Sequence, residues 1–446
     1  MSFSFLTLGG FLKWSFLFLV FKDVSNYVHL PAVLCTGSIV RKVVKEELMK
    51  ELIYGDTHWD ERKRRFHFEK LKKDLETDVL IIGGGMSGTL TAYVLSKATD
   101  RKITVIDGKD IATGSSRANT GLLQVSSDTM LSEFMETIGE EKARGFYKMC
   151  QEAMMDLHRI REIFPECSLR ERQSLYMATE KDHEEKLRKE YEALKGQGMC
   201  LRYLSREEAR KEFDADCYSA LLIDGDADVD PVKFIETLTK ENAEKGVQYY
   251  EDTEVDLSSV KEREIFTKDG HKILFQEVIF ATGYAYVYPF LKDKIEIGRT
   301  YALVTEKIDG SPWKDEVMIW ETKDPYLYLR TSQDGRIVAG GLDEEMSHVE
   351  KEEKKLKEKE AELKASCEKL LFHELPLDVE HFYNALFGSV KDGLPLIGKE
   401  PGRKNRYYLL GYEGNGTCYS MAGAKIIKDL LLGRENPYAD IVKLDR

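Results

Sequence analysis

The feature that most constrains the fold of this chain is a glycine-rich turn between an apolar run and a helix-forming stretch. Residues 78–82 read DVLII, a short, β-branched run that is typical of a strand buried on both faces. The turn GGGMSG follows at 83–88, residues 89–98 have helical composition, and a second apolar run at 103–106 ends at Asp107. This order of strand, glycine turn, helix and strand predicts a βαβ unit.

Within this unit, the spacing Gly83-x-Gly85-x-x-Gly88 matches the fingerprint of a dinucleotide site. Gly83 permits a tight turn, Gly85 lets the backbone approach a pyrophosphate, and Gly88 lets the helix pack closely on the strand. The helix N-terminus supplies free N–H groups and a partial positive charge for the phosphates. Asp107 ends the second strand, where its carboxylate is placed to accept hydrogen bonds from ribose hydroxyls.

Three further turns rich in small residues occur along the chain. GSSRANTG at 114–121 follows the acidic strand end, ATG at 281–283 ends another apolar strand, and GYEGNGT at 411–417 precedes a C-terminal helix. A second small-residue turn suits a long cofactor that continues past the pyrophosphate. Four such turns at strand ends, in this order, are far more specific than any one of them.

Together, the runs DVLIIGGGMSG, GSSRANTG, ATG, GRIVAGG, DGLPLIG and GYEGNG, with Asp107, resemble the FAD-dependent D-amino acid oxidase superfamily. The glycine and sarcosine oxidase branch, including the γ-glutamylputrescine oxidase type, is nearest. The resemblance covers about residues 49–440 and implies a mixed α/β fold, in which a Rossmann-like FAD-binding domain is interleaved with an antiparallel-sheet substrate domain. The implied organisation is an N-terminal arm at 49–76 and one unit at 77–446, with the FAD domain at approximately 77–165, 225–290 and 385–440 and the substrate domain at approximately 166–224 and 291–384.

The resemblance also implies which residues contact FAD. Val255 would meet the adenine through its backbone, and the turn at 116–121 would lie along the phosphates and ribityl chain. The turn at 414–416 would sit at the pyrimidine end of the flavin, where the positive end of the following helix stabilises the anionic reduced form. The predicted cofactor-binding residues are Gly83, Gly85, Met86, Ser87, Gly88, Asp107, Ser116, Arg117, Thr120, Gly121, Val255, Thr282, Gly283, Gly414, Asn415, Gly416 and Thr417.

The segment YLYLR at 326–330 is the most informative part of the predicted substrate domain. Alternation along a strand places Tyr326, Tyr328 and Arg330 on one face. In the similar oxidases, an arginine at the end of this strand binds the substrate carboxylate bidentately, and Arg330 matches that position. The alternative is an arginine paired at the surface. We therefore take Arg330, Tyr328 and Tyr326 as the candidate catalytic residues.

Two departures from the family patterns bear on the site. Phe387 stands where the glycine oxidase pattern has a second substrate-facing arginine, which weakens the case for glycine or another small α-amino acid. The stretch GSVKDG at 388–393 lacks the cysteine that links the flavin covalently in monomeric sarcosine oxidases, so we expect non-covalent FAD. The histidines are scattered and no two cysteines form a CxxC pair, so no metal site is predicted.

These patterns predict an FAD-dependent enzyme that oxidises a small amine or amino acid at its C–N bond. Hydride would pass from the carbon beside the nitrogen to flavin N5, and the resulting imine would hydrolyse. Oxygen or another acceptor would then reoxidise the flavin. Two alternatives remain open: a membrane-associated dehydrogenase that passes electrons to quinone, and a non-catalytic flavin-binding protein.

The composition limits the classes of partner. The chain has 66 Lys and Arg against 79 Asp and Glu, a net charge of −13, which argues against nucleic acid as a partner because phosphate binding needs a basic face. Hydrophobic residues make up 42% of the chain, which excludes an intrinsically disordered protein.

The first 48 residues differ from the rest of the chain. Residues 3–21 are nearly all Phe, Leu, Trp and Val and are just long enough to span a bilayer, so membrane contact is expected only there. Basic residues at 41–50 would then keep the remainder cytoplasmic. Alternatively, the natural start is Met49, and residues 1–48 are an over-extended reading frame. The expected location is cytoplasmic, with a membrane anchor only if residues 1–48 are real.

Overall fold

The computed structural model describes residues 51–61, 66–373, 375, 377–411 and 413–446. The apolar extension at 1–48 lies outside these residues, as does the choice between an anchor and a mis-assigned start. Within the described ranges, no helix combines the length and the apolarity needed to cross a membrane.

The described part of the chain contains eighteen strands and ten α-helices. The strands are β1 (Ile53–Gly55), β2 (Leu75–Ile82), β3 (Ile103–Ile106), β4 (Leu122–Leu123), β5 (Leu169–Ala178), β6 (Leu201–Ser205), β7 (Ser219–Val229), β8 (Gln248–Tyr250), β9 (Val255–Asp256), β10 (Glu264–Thr267), β11 (Lys272–Phe280), β12 (Ile295–Thr305), β13 (Met318–Glu321), β14 (Tyr328–Thr331), β15 (Ile337–Glu344), β16 (Val379–Val390), β17 (Leu396–Lys399) and β18 (Arg406–Leu410). The helices are α1 (Met86–Ala98), α2 (Ser115–Ala118), α3 (Leu131–Thr137), α4 (Glu140–Ile163), α5 (His183–Gly196), α6 (Arg206–Phe213), α7 (Pro231–Glu244), α8 (Glu353–Cys367), α9 (Gly416–Leu431) and α10 (Ala439–Val442).

The predicted βαβ unit is confirmed at the centre of an eight-stranded sheet. This sheet has the order β17-β18-β11-β2-β3-β8, with β10 beside β11 and β9 beside β10. Strand β2 runs parallel to β3 and to β11, so that Ile82 pairs with Ile106 on one side and Phe280 on the other. Val79–Ile81 have no exposed surface, as expected for a strand covered on both faces. The carboxyl ends of β2, β3 and β11 therefore lie side by side.

Helices cover the sheet and enclose the larger core. Helix α1 contacts α7 and α9, and α9 also contacts α4. Leu90 and Leu95 of α1 have no exposed surface and join one buried cluster with Val79 and Ile81 of β2. Because α1 packs directly on the strand that precedes it, its N-terminus is held at the carboxyl edge of the sheet.

The second sheet has ten strands and is antiparallel at all but one pair. Its order is β1-β16-β12-β15-β14-β13-β5-β7-β4, with β6 beside β7, and only β13 and β5 run parallel among the described pairs. Strand β14 begins at Tyr328, so Tyr326 lies just before the strand that the sequence predicted from residue 326. The mixed α/β class and the presence of an antiparallel sheet are confirmed.

Asp226 of β7 joins the ten-stranded sheet to the chain that follows β4. Its carboxylate accepts hydrogen bonds from the Val125 backbone N–H, at 2.8 Å, and from the Ser174 hydroxyl. Asp226 has no exposed surface, and this burial raises the pKa of its carboxyl to about 7 although both hydrogen bonds favour ionisation.

The raised pKa of Asp226 predicts a pH-dependent cost to the folded state. An unfolded aspartate has a pKa of about 4, so the unfolded chain ionises first and stability falls as the pH rises from about 4 to 7. Asp226→Asn removes this titration and keeps an acceptor for Val125. The free energy of unfolding of the variant minus that of the native chain should therefore be larger at pH 8 than at pH 5, by roughly 2–3 kcal/mol. Thermal melts at both pH values measure this, and a difference independent of pH contradicts it.

Candidate active site

A cavity of about 910 Å³ lies between the carboxyl edge of the eight-stranded sheet and the ten-stranded sheet. One side is lined by residues that follow β2, β3 and β11, and the other by residues of β12, β14, β15 and β16. Open α/β sheets bind their ligands at this carboxyl edge, and the volume is in the range of ligand pockets. The cavity is thus the candidate site.

The turn after β2 brings backbone groups into contacts that exclude side chains. Gly83 has a φ of +112°, and a Cβ there would meet the Ala281 carbonyl oxygen at 2.2 Å. A Cβ on Gly88 would meet the Gly83 carbonyl oxygen at 1.8 Å. Helix α1 begins at Met86, whose N–H donates to the Ser116 hydroxyl at 2.9 Å. The turn therefore presents backbone rather than side chains to the cavity.

Asp107 stands at the end of β3, where the sequence placed it. Its carboxylate lines the cavity and accepts hydrogen bonds from the backbone N–H groups of Gly84, at 2.7 Å, and Lys109, at 2.8 Å. Burial raises the pKa of this carboxyl to about 6, against the effect of the two hydrogen bonds. In addition to facing the cavity, Asp107 ties the glycine turn to the neighbouring strand.

Buried polar atoms in the cavity wall point to a ligand. The Ser115 hydroxyl, the Gln124 side-chain nitrogen and the Thr417 hydroxyl are buried and have no hydrogen-bond partner in the described part of the chain. All three residues line the cavity. Buried polar groups are normally paired, so these atoms fit a bound group that supplies the missing partners. Helix α9 adds its N-terminus at Gly416, which also lines the cavity.

Asp128 connects the turn before α9 with the predicted substrate segment. Its carboxylate accepts a hydrogen bond from the Gly414 N–H at 2.5 Å and one from the Tyr326 hydroxyl at 3.1 Å. Burial raises the pKa of Asp128 above its ordinary value. Asp128 was not predicted as a site residue, because it lies in the polar loop SSDTM at 126–130, which contains no recognisable motif.

Four more carboxylates line the cavity, those of Glu254, Asp324, Asp343 and Glu413, and none of them was predicted as a site residue from the sequence. Burial raises the pKa of Asp343 to about 6 and that of Glu413 to about 8. Glu413 accepts a hydrogen bond from the Val390 N–H at 2.5 Å, while Asp324 is exposed at the cavity edge. Glu413 sits inside the GYEGNG motif, which marked its neighbourhood but not its role.

Most of the predicted site residues come together in this cavity. Those that line it are Gly83, Gly85, Met86, Ser87, Asp107, Ser116, Thr120, Val255, Thr282, Gly283, Gly414, Gly416, Thr417, Tyr326 and Tyr328. Gly88, Arg117, Gly121, Asn415 and Arg330 are not among the lining residues. Gly88 lies behind the turn, and the Asn415 amide donates to the Gln124 and Ser126 carbonyl oxygens, so both shape the wall from behind.

Arg330 does not join the two tyrosines at the cavity. Its guanidinium donates to three backbone carbonyl oxygens, those of Thr120 at 2.8 Å, Thr331 at 3.0 Å and Val229 at 3.0 Å. Only 2% of the residue is exposed, and it lines a separate polar cavity of about 350 Å³. A Cβ on Gly121 would lie 2.5 Å from the Arg330 Nη2, because the backbone at 120–121 covers the guanidinium. Tyr328 and Arg330 lie in β14 as predicted, whereas Tyr326 precedes the strand, and the backbone at 120–121 separates Arg330 from the larger cavity.

The chain matches the family model described as DAO, FAD dependent oxidoreductase, over residues 78–430. The Bacillus subtilis protein YhfW, named as a Rieske 2Fe-2S iron-sulfur protein, is 25% identical over 407 residues, which cover 86% of this chain and 74% of that protein.

Two solved structures share the fold. Glycine oxidase from Geobacillus kaustophilus has a TM-score of 0.69 at 20% identity, covering 83% of this chain and 99% of that one. L-proline dehydrogenase from P. horikoshii has a TM-score of 0.67 at 18% identity, covering 82% and 96%. The family model spans most of the chain, and the predicted glycine turns line the cavity. The chain therefore belongs to the DAO family of FAD-dependent oxidoreductases.

Proposed function

We propose that this oxidoreductase acts on a small amine or amino acid, removing hydride from the carbon beside the nitrogen, and that it holds FAD non-covalently. The observation that carries the proposal is one continuous cavity that joins the glycine turns to a chamber walled by Tyr326 and Tyr328. The names of the two structures with the same fold, glycine oxidase and L-proline dehydrogenase, support this reaction class.

FAD would extend through the cavity from Val255 to the turn before α9. The pyrophosphate would meet the backbone at 83–87, and Asp107 would accept from the adenosine ribose. The orphaned hydroxyls of Ser115 and Thr417 would find partners on the cofactor. When bound, FAD supplies the hydride acceptor at N5. The residues that would contact FAD directly are Gly83, Gly85, Met86, Ser87, Asp107, Ser116, Thr120, Val255, Thr282, Gly283, Gly414, Gly416 and Thr417.

The protein's own contribution is orientation, charge and exclusion of water. The N-terminus of α9 would place its partial positive charge at the pyrimidine end of the flavin. Asp128 holds Gly414 and Tyr326 together, so the cofactor end and the substrate wall keep one geometry. Partial burial raises the pKa of the Tyr326 and Tyr328 hydroxyl groups above their ordinary value, so both rings stay uncharged at neutral pH.

The division into two interleaved domains remains our proposal. The eight-stranded sheet draws its strands from the segments proposed for the FAD domain, apart from the first residues of β2. The ten-stranded sheet draws mainly on the segments proposed for the substrate domain. Strand β4 at 122–123 is an exception, because it pairs with β7 although it lies within 77–165.

The proposed reaction predicts that a small amine or amino acid bleaches the bound flavin. We expect the purified protein to be yellow and to lose its flavin absorbance under nitrogen with at least one compound from a panel of both classes. The rate at which air restores the colour then distinguishes an oxidase from a dehydrogenase that uses another acceptor. A protein that cannot bind FAD, or one that keeps its colour with every compound, contradicts the proposal.

The glycine turn predicts a second result. Gly88→Ala places a Cβ against the Gly83 carbonyl and distorts the phosphate-facing turn, so we expect flavin content to fall about tenfold or more. Flavin released by acid is measured per mole of protein. Gly196→Ala is the matched control, because a Cβ there meets its nearest atoms at 3.7 Å, far from the cavity. Equal flavin in both variants, or flavin that stays with the acid precipitate, refutes the proposed non-covalent site.

Arg330 is predicted to stabilise the fold rather than to bind substrate. Arg330→Met leaves the carbonyl groups of Thr120, Thr331 and Val229 without their donor, at a cost of about 2–4 kcal/mol in the free energy of unfolding. Denaturant melts measure this cost. If stability is unchanged while KM rises only for substrates with a carboxylate, Arg330 is a substrate ligand after all.

A further inference from the structure

We infer that the substrate is a cationic amine that carries no carboxylate on the reacting carbon, and that Asp343 binds its ammonium group. The reacting carbon is the one beside the nitrogen; the bound ammonium group first passes one proton to the Asp343 carboxylate, and hydride is then removed from that carbon to leave an iminium group. This inference rests on the proposed function and specifies its substrate class.

The part of the cavity wall that the ten-stranded sheet and the residues just before β14 provide is anionic and aromatic. We call this part the substrate chamber and define it by Thr300, Asp324, Tyr326, Tyr328, Asp343 and Phe387. In the described ranges, the only positively charged residue lining the whole cavity is Lys109, which lies beside Asp107 at the other end. A carboxylate placed in the chamber would be desolvated near like charges, which is costly. An ammonium group would be attracted there.

No arginine of the described ranges lines the chamber. Arg330 is committed to three backbone carbonyl oxygens behind the segment at 120–121. Phe387 lines the chamber with an uncharged aromatic side chain. An α-amino acid would therefore enter without a cationic partner for its carboxylate.

Asp343 is aimed at the chamber by a β-bulge. Arg299 of β12 pairs with Glu344 and Tyr301 pairs with Gly341, so Leu342 and Asp343 together oppose one residue. Leu342 has a φ of +58°, which a branched side chain rarely adopts. Bulges of this kind redirect a side chain next to an active site. Here the redirected side chain is a carboxylate.

The Asp343 carboxylate has an unused acceptor. Its Oδ1 atom is buried and finds no hydrogen-bond partner among the residues that the structure describes. Burial raises the pKa of the carboxyl to about 6, against the effect of a hydrogen bond from the Thr300 side chain, so the group is ionised at pH 7.5. Buried carboxylates are stable when they are paired with a cation.

The aromatic residues of the chamber suit the same ligand. The rings of Tyr326 and Tyr328 lie 5.8 Å apart and both line the chamber. Aromatic faces attract ammonium groups and the carbon atoms that adjoin them. Asp343 and these two rings therefore provide the charge and the surface that a small cationic amine requires.

The test uses three compounds with the same carbon skeleton, tert-butylamine, 2-aminoisobutyrate and tert-butanol. The two amines have no hydrogen on the carbon beside the nitrogen, so they bind without being oxidised. Binding to the FAD-loaded protein at pH 7.5 is followed by perturbation of the flavin spectrum. We expect tert-butylamine to bind at least about tenfold more tightly than either of the other two.

Variants of the acidic residue complete the test. Asp343→Asn should weaken tert-butylamine binding about tenfold, and Asp343→Glu, which keeps the charge, should retain most of it. Glu345→Gln is the matched control, because Glu345 is an exposed acid on the same segment that does not line the cavity. Flavin content and melting temperature confirm that each variant is folded. Unchanged amine affinity in Asp343→Asn overturns the inference, as does equal or tighter binding of 2-aminoisobutyrate or no binding of tert-butylamine.

Anaerobic flavin reduction separates this inference from the proposed function. Ethylamine is compared with alanine, and benzylamine with phenylglycine, since each pair has one reacting carbon and differs only by a carboxylate on it. Faster reduction by the amines supports the inference. Faster reduction by the amino acids overturns it and leaves the proposed C–N oxidation standing, whereas reduction by neither class, here or across the wider panel, contradicts the proposed function itself.

Discussion

The rest of the structure depends on a close contact between backbones at the carboxyl ends of β2 and β11. Gly83 passes so near the Ala281 carbonyl, and Gly88 so near the Gly83 carbonyl, that no side chain fits at either glycine. This contact holds α1 directly on β2 and keeps its first N–H groups at the edge of the sheet. The positions of the adenine, phosphate and flavin regions of the proposed FAD site all depend on that edge. A shift of the turn would therefore displace every other cofactor contact.

Buried carboxylates hold the other walls of the cavity in place. Asp128 ties the loop after β4 to Gly414, and Asp226 ties the same loop to β7, in each case by accepting a backbone N–H. Burial disfavours ionisation of both groups, but the hydrogen bonds offset part of that cost. Segments that are 286 and 101 residues apart are joined in this way. The cavity is thus formed by polar links between distant loops as well as by packing.

The electrostatic character of the substrate chamber follows from where the arginine is used. Arg330 satisfies three carbonyl oxygens and so stabilises the segment at 120–121 that separates the two cavities. Because the Arg330 guanidinium lies outside the chamber, the carboxylates of Asp343 and Asp324 give the chamber a negative charge. In our proposal, this arrangement adapts the chamber to a cationic substrate.

Local rules were sufficient to predict the βαβ unit, the glycine turn and the position of Asp107 from sequence, whereas the family resemblance supplied most of the other predicted residues that line the cavity. Steric exclusion at Gly83 and Gly88 depends on near neighbours in the chain, so it leaves a recognisable spacing. The same alternation correctly placed Tyr328 and Arg330 on one strand face. Only the tertiary structure decided that Arg330 lies outside the larger cavity and that Asp128 and Asp343 line it. Those outcomes depend on the crossing of a distant segment and on a one-residue bulge between paired strands, and neither contact is encoded by residues adjacent in the sequence.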